Sequence, residues 1–146
     1  MTRLVVDVSV GVKWFLPGDE PLKDRAVELL ERAAIGEVEF LVPDLFWAEL
    51  GNVLWKAVRR QRCTETQAVE SLIRSRQVDL PVVPLTTQLL EQAFEIAIRH
   101  GRSFYDSLYV AAAVSRQATL ITADEKLANA TAAYLPVKWL GALTDF

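Results

Sequence analysis

Short apolar runs alternate with longer stretches of helical periodicity along the whole chain. Leu4-Val5-Val6 is a compact run rich in β-branched residues, and it ends at Asp7. Leu22, Ala26, Leu29, Leu30 and Ala33 recur at helical spacing and predict a helix over 21–35, closed by Gly36. Glu39 to Val42 reads as a short strand stopped by Pro43, with Asp44 placed to cap a helix that runs to about Arg62. Thr64 to Arg76 is a second helical stretch. Leu80 to Leu85 is apolar but contains Pro81 and Pro84. Proline removes ladder donors, so this segment predicts an edge strand or an irregular one. Leu89, Leu90, Ala93, Phe94, Ala97 and Ile98 predict a helix from Thr87 to Arg99, capped by Gly101. Ser103 opens another helix to about Arg116. Thr119 to Thr122 is a strand, Asp124 starts a short helix, and Val137 to Leu140 is a last candidate strand.

Short strands alternating with helices predict an α/β fold with a parallel sheet covered on both faces. No repeat or linker interrupts the pattern, so residues 1–146 read as one domain. Sheets of this kind place ligands at the carboxyl ends of their strands, near a topological switch point. Two acids stand at such positions: Asp7 after Leu4-Val5-Val6, and Asp124 after Leu120-Ile121-Thr122.

Composition narrows the field. Hydrophobic residues make up 51% and charged residues 24%, the proportions of a globular domain, which excludes disordered and collagen-like chains. No apolar run approaches the ~20 residues that span a bilayer, and the first residues lack the pattern of a secretory signal. Cys63 is the one cysteine, so no internal disulfide forms and a reduced, cytoplasmic setting is expected. The net charge of -3 speaks against a general nucleic-acid binder. That objection weakens if four of the 19 acids share one metal pocket, because the 16 basic residues then outnumber the rest by one. His100 is the only histidine and ends a helix, where the dipole favours a cation; histidine-based acid–base chemistry is not expected. Cys63 has no second thiol or histidine near it in sequence and reads as structural. Ala111-Ala112-Ala113 reads as close helix packing.

The acids carry the candidate chemistry, and each also has an ordinary explanation. Asp7 could be a turn former. On a wheel at about 100° per residue, Glu49, Asn52, Lys56, Arg59 and Arg60 share one sector of the 45–60 helix, roughly a third of its circumference. Nearly all the remaining positions are apolar or small, which predicts a helix buried on most sides by the core and a partner. Glu49 is then either a solvated residue on the wet stripe or a carboxylate lining a cleft, with basic residues leading away from it. Ser103 and Asp106 have capping-box spacing, and so do Thr122 and Glu125. Asp124 suits a first helical turn. These explanations leave out the joint arrangement, two acids at strand ends and two on helices that can face the same sheet edge. Divalent metal is the physical reason to gather such groups, since Mg²⁺ and Mn²⁺ take hard oxygen ligands and relieve carboxylate repulsion.

At these residues the sequence resembles the PIN-domain family, and within it the VapC-type toxins of toxin–antitoxin pairs. Asp7-Val8-Ser9 resembles the family's opening motif. Pro43-Asp44 with Glu49-Leu50-Gly51-Asn52-Val53-Leu54 is similar to its second, Tyr105-Asp106-Ser107-Leu108-Tyr109-Val110-Ala111 to its third, and Thr122-Ala123-Asp124-Glu125-Lys126-Leu127 to its fourth. The likeness covers essentially the whole chain, in order.

The resemblance implies a three-layer α/β/α sandwich with a short parallel sheet. It implies a Mg²⁺- or Mn²⁺-dependent endoribonuclease in which Asp7, Glu49, Asp106 and Asp124 hold the metal, supported by Ser9, Asn52 and Thr122. Glu125 is open between ligand and helix cap. Water activated by the metal would attack phosphorus in line. The usual partner is a small VapB-like antitoxin, and a homodimer or higher assembly is expected. Lys56, Arg59, Arg60, Arg62 and Arg102 are candidates for holding the RNA backbone, although charged helix faces are more often simply solvated. Trp14, Phe15, Phe46, Trp47 and Trp55 read mainly as core, and any exposed member as an interface anchor. A PIN nuclease of housekeeping RNA processing and a non-catalytic PIN-like binding module stay open. A haloacid-dehalogenase-type phosphatase would want an acid where Ser9 stands, and a receiver-like domain would want paired acids after the first strand.

Overall fold

A computed structural model describes residues 1–143; the last three positions of the expected 1–146 domain lie outside the described residues. The strands are β1 (Thr2–Val6), β2 (Val38–Pro43), β3 (Val82–Val83), β4 (Thr119–Thr122) and β5 (Val137–Trp139). They form one sheet in the order β3-β2-β1-β4-β5, and every neighbouring pair is parallel. The helices are α1 (Val8–Phe15), α2 (Lys23–Ala34), α3 (Phe46–Arg59), α4 (Glu65–Ser75), α5 (Thr87–His100), α6 (Phe104–Ser115) and α7 (Glu125–Thr131). They flank the sheet as an α/β/α sandwich.

The central strand explains the unbroken apolar run. Leu4, Val5 and Val6 of β1 are at most 2% exposed. A parallel strand covered on both faces has no wet side and does not alternate. Helix α6 packs across β1, β2 and β4, and α5 covers α6 from outside. Every residue from Ser107 to Ala113 is buried. A helix that is apolar all round can be stable only inside. Leu80–Leu85 contributes the two-residue edge strand β3, as its prolines predict.

Four local expectations need correction. Helix α1 is absent from the predicted elements because Val8, Val10 and Val12 imitate the alternation of a strand. Burial of Val8, Val10, Gly11, Val12, Lys13 and Phe15 overrides that weak helix propensity. Pro43 does not stop β2; it is the strand's last residue and pairs with Val83. Asp44 does not cap α3: Leu45 holds that position and Asp44 lies exposed in the preceding turn. The same helix ends at Arg59, not near Arg62. Gln61 turns left-handed (φ 58°), and the Arg62 N–H donates back to the Ala57 carbonyl at 2.8 Å.

Helix α3 packs on the core along one face and leaves another open in the single chain. Phe46, Leu50, Leu54 and Ala57 are buried, but Ala48 is exposed and Trp55 is 54% exposed beneath the Arg59 guanidinium, 4.9 Å from the ring. Among the other aromatics, Phe15 and Phe46 are core and Trp14 and Trp47 are half-buried.

Helices α1 and α3 meet where Gly11 faces the fully buried Phe46. A Cβ built on Gly11 would stand 2.5 Å and 2.8 Å from two Phe46 ring carbons. We expect Gly11→Ala to cost about 1–3 kcal/mol, the range for overpacking a dense core. Thermal unfolding measures it, and an unchanged midpoint would mean that this crossing is looser than the ring contact indicates.

Candidate active site

Chain order leaves β1 in one direction toward β2 and β3, and in the other toward β4 and β5. The crevice at the carboxyl ends of β1 and β4 is therefore the topological switch point. Asp7 takes the N-cap position of α1 there and is 8% exposed. The Ser9 hydroxyl donates to Asp7 Oδ1 at 2.5 Å, within the range of a charge-assisted bond. Ser9 Oγ also accepts from the Ala123 N–H at 2.8 Å and stands 3.3 Å from Thr122 Oγ1. Thr122 is fully buried, and its hydroxyl accepts from the Asp124 N–H at 3.0 Å. Ser9 and Thr122 thus bind the two strand ends into one rim.

Asp124, not Thr122, caps α7. Its Oδ1 accepts from the N–H groups of Lys126 (3.0 Å) and Leu127 (3.2 Å), which fixes the carboxyl and leaves Oδ2 outside the cap. Glu125 lies exposed in the first turn of α7. Asp106 enters from α6. Ser103 caps that helix by accepting from the Asp106 N–H at 3.1 Å, so the half of the capping box formed here uses Asp106 backbone. Its carboxylate faces Arg102, whose Nη2 lies 3.5 Å from Asp106 Oδ2 and 3.8 Å from Asp124 Oδ2.

Glu49 faces the site from α3. Its Oε1 and the Tyr109 hydroxyl are both buried without a hydrogen-bond partner. The hydroxyl is near enough to favour the charged carboxylate, but the pair lacks good bonding geometry. Burial raises the Glu49 pKa; Tyr109 opposes that rise and the Asp106 charge adds to it. Burial also pushes Asp7 from 3.8 up to about 6, against the pull of the Ser9 and Thr122 hydroxyls and the Val10 amide, with Asp106 adding to the rise. Tyr109 is raised by burial and by the charges of Glu49, Asp7 and Asp106. Asp106 therefore acts on both Asp7 and Glu49, and Arg102 links Asp106 to Asp124. Asn52 is exposed one turn along α3 from Glu49.

Among the described residues, no three His, Cys, Asp or Glu side chains stand close enough to enclose a metal ion in this conformation. The donor set nevertheless suits a hard divalent cation in kind. Glu49 offers an unbonded oxygen, Asp7 is a carboxyl whose ionisation burial opposes, and Asp106 adds like charge. A cation would relieve each of these costs. Cavity size does not select this place: cavities of about 490 Å³, lined by Ala128, Val137 and Trp139, and about 470 Å³, lined by Leu30, Val38, Phe40 and Pro81, open elsewhere.

The basic residues divide. Lys56, Arg59 and Arg60 are exposed on or just beyond α3. Arg62 pairs with Glu20 at 3.0 Å, and Glu20 also pairs with the buried Lys13 at 3.3 Å. Arg102 stands among the acids. Tyr109 and Lys13 join the site's surroundings without a role predicted from the sequence. Tyr109 had one legible signal, a hydroxyl three residues beyond Asp106 in an otherwise apolar helix, because a buried Tyr seeks a polar partner. The Lys13–Glu20 contact depends on a loop path that no local pattern specifies.

Comparison with known proteins gives three concordant findings. The family model for the PIN domain matches residues 4–133. The chain is 32% identical over 128 residues to Ribonuclease VapC3 of Pyrobaculum aerophilum, covering 87% of this chain and 93% of that protein. It is 33% identical over 130 residues to Ribonuclease VapC1 of Mycobacterium tuberculosis, covering 89% and 92%. Among solved structures, one from Pyrobaculum aerophilum superposes with a TM-score of 0.69 at 23% identity, over 96% of this chain and 90% of that one. The VapBC2 structure of Rickettsia felis, bound to a promoter DNA fragment, superposes with a TM-score of 0.66 at 15% identity, over 94% and 98%.

The Asp7 pKa has a stability consequence whose sign is set by its direction. The folded chain holds this proton more tightly than the unfolded chain. The cost of ionising Asp7 therefore grows from about pH 4 to about pH 6 and is complete above that. At 1.4 kcal/mol per unit the cost is about 2–3 kcal/mol. We expect Asp7→Asn to raise the melting temperature in chelator at pH 8, with little gain at pH 4. A variant that melts lower at pH 8 would mean that the carboxylate is not an uncompensated charge.

Proposed function

Because the chain belongs to the PIN domain family, we propose that it is a metal-dependent endoribonuclease, the toxin of a type II toxin–antitoxin pair. The observation that carries this reading is the placement of Asp7 and Asp124 at the ends of the adjacent strands β1 and β4, with the Asp106 charge acting on both Asp7 and Glu49, whose pKa values are raised. The ribonuclease names of relatives at 32% and 33% identity support RNA as substrate. The VapBC2 neighbour supports a small antitoxin as partner.

In this reading Asp7, Glu49, Asp106 and Asp124 hold Mg²⁺ or Mn²⁺. When bound, such an ion neutralises phosphodiester charge and lowers the pKa of a coordinated water. The protein's own residues do the rest. Ser9 orients Asp7 through its 2.5 Å bond and keeps the Ala123 amide paired. Thr122 fixes the approach to Asp124, whose cap holds one oxygen and frees the other. The Tyr109 hydroxyl faces Glu49 and favours its ionised form. Asn52 presents an amide beside Glu49, and Lys56, Arg59 and Arg60 continue the same helix face as point charges for RNA phosphates.

A homodimer or higher assembly belongs to the same proposal. Leu90, Phe94 and Ile98 form an exposed stripe along α5, with Phe94 60% and Ile98 72% exposed, of the kind that interfaces cover. Among the described residues no helix is long and apolar enough to cross a membrane, and a cytoplasmic setting is proposed.

The test is cleavage of a labelled structured RNA by the purified chain. We expect cutting with Mn²⁺ or Mg²⁺, none with chelator, and background rates for Asp106→Asn and Glu49→Gln. Cutting that survives both substitutions would place the activity elsewhere, and folded protein that binds RNA without cutting would favour the non-catalytic module. Ser9→Ala removes only the group that orients Asp7, so the expected loss is smaller, about 10- to 100-fold in kcat. A full-rate Ser9→Ala enzyme would rule out that orienting role.

A further inference from the structure

We propose that Arg102 is the built-in counter-ion of the acidic site: it sits between Asp106 and Asp124, a divalent cation must displace it, and it thereby sets how tightly that cation is held. The proposal rests on the nuclease reading in taking those two acids as metal ligands.

The geometry places one guanidinium nitrogen against the oxygens that an ion would need. Arg102 Nη2 faces Asp106 Oδ2 at 3.5 Å and Asp124 Oδ2 at 3.8 Å. Asp124 Oδ1 is already held by the Lys126 and Leu127 amides, so Oδ2 is its oxygen without an amide partner. A cation that takes Asp106 and Asp124 together competes with Arg102 for the same two atoms.

The pairing is also loose. Charge-assisted N–H···O⁻ bonds usually close to about 2.7–2.9 Å, and a structural arginine engages a carboxylate with two nitrogens. Arg102 does neither, and its Nε is buried with no partner. An unpaired buried donor costs free energy, so this seat is not the best one available to the side chain. A guanidinium cannot leave by losing its proton; it leaves by moving. Arg102 lies in the short connection between α5 and α6, next to Gly101 in the left-handed region, and its side chain can swing without opening a helix. Among the candidate RNA contacts, Arg102 thus differs from Lys56, Arg59 and Arg60, which are exposed.

Competition makes a prediction opposite in sign to a supporting role. If Arg102 only held Asp106 and Asp124 in place, removing it would weaken metal binding. If it occupies their free oxygens, removing it tightens binding. The experiment is calorimetric titration of the full chain with Mn²⁺ alone, without RNA. We expect Arg102→Gln to bind Mn²⁺ about two- to fivefold more tightly than wild type, the scale of one partly exposed ion pair. Arg102→Lys keeps the charge and should bind close to wild type. The wild-type chain supplies a second readout if the variants fold poorly: adding Mg²⁺ should move the Arg102 Nε–H resonance.

Unchanged or weaker Mn²⁺ binding by Arg102→Gln, or a resonance that stays in place, overturns the proposal. If wild type still binds Mn²⁺ and cuts RNA in that case, the nuclease reading stands. If wild type neither binds Mn²⁺ nor cuts RNA, both readings fail.

Discussion

The Ser9 hydroxyl joins two strand ends that are adjacent in the sheet and 114 residues apart between Ser9 and Ala123. It donates to the Asp7 carboxylate and accepts from the Ala123 amide. The rest of the site depends on this bridge. It holds Asp7 at the carboxyl end of a strand with no wet face, where the fold would otherwise favour an apolar residue. It also sets the height of the β4 end, from which Thr122 and the capped Asp124 follow. Without it, a buried carboxylate and a strand-end amide would both lose a partner.

That bridge stabilises Asp7 only in part, as its pKa of about 6 records. Glu49 is raised as well, and Asp106 adds repulsion to both. A chain built for stability alone would not bring these groups together, and sites that violate the rules of the interior are where function is found. Two features absorb the charge without a metal: the α7 amides on Asp124 and the Arg102 guanidinium between Asp106 and Asp124. The first is a rigid cap. The second is long and one-armed, which separates a structural contact from a replaceable one.

Much of the plan was legible in the sequence. Leu4-Val5-Val6 announces a strand buried on both faces because its apolar run does not alternate. Gly101 and Ser103 punctuate α5 and α6 as their backbone preferences require. Pro81 and Pro84 confine Leu80–Leu85 to a sheet edge. Helix α1 was not legible, because alternating valines carry a strand's pattern and only burial makes them a helix. Asp124 starts α7 as its chemistry suggests, whereas Asp44 does not cap α3, since adjacent residues can hold the same position and the entry angle of the chain selects one.

The candidate site divides in the same way. Residue type and chain position single out Asp7, Glu49, Asp106 and Asp124 as candidates, because acids at strand ends and on helix faces are visible in one dimension. The partners of those acids depend on contacts between distant segments. Tyr109 facing Glu49, Ser9 reaching Ala123, and Lys13 buried against Glu20 each need a fold before they exist. Arg102 is the sharpest case. Its four-residue spacing from Asp106 is a sequence property, whereas its approach to Asp124 arises only because α6 packs against β4. The sequence alone determined which elements form and which acids they carry, since burial pattern and residue chemistry act locally. The tertiary structure alone decided which charge faces which, because Coulomb energy depends on distance in space and the chain order does not contain it.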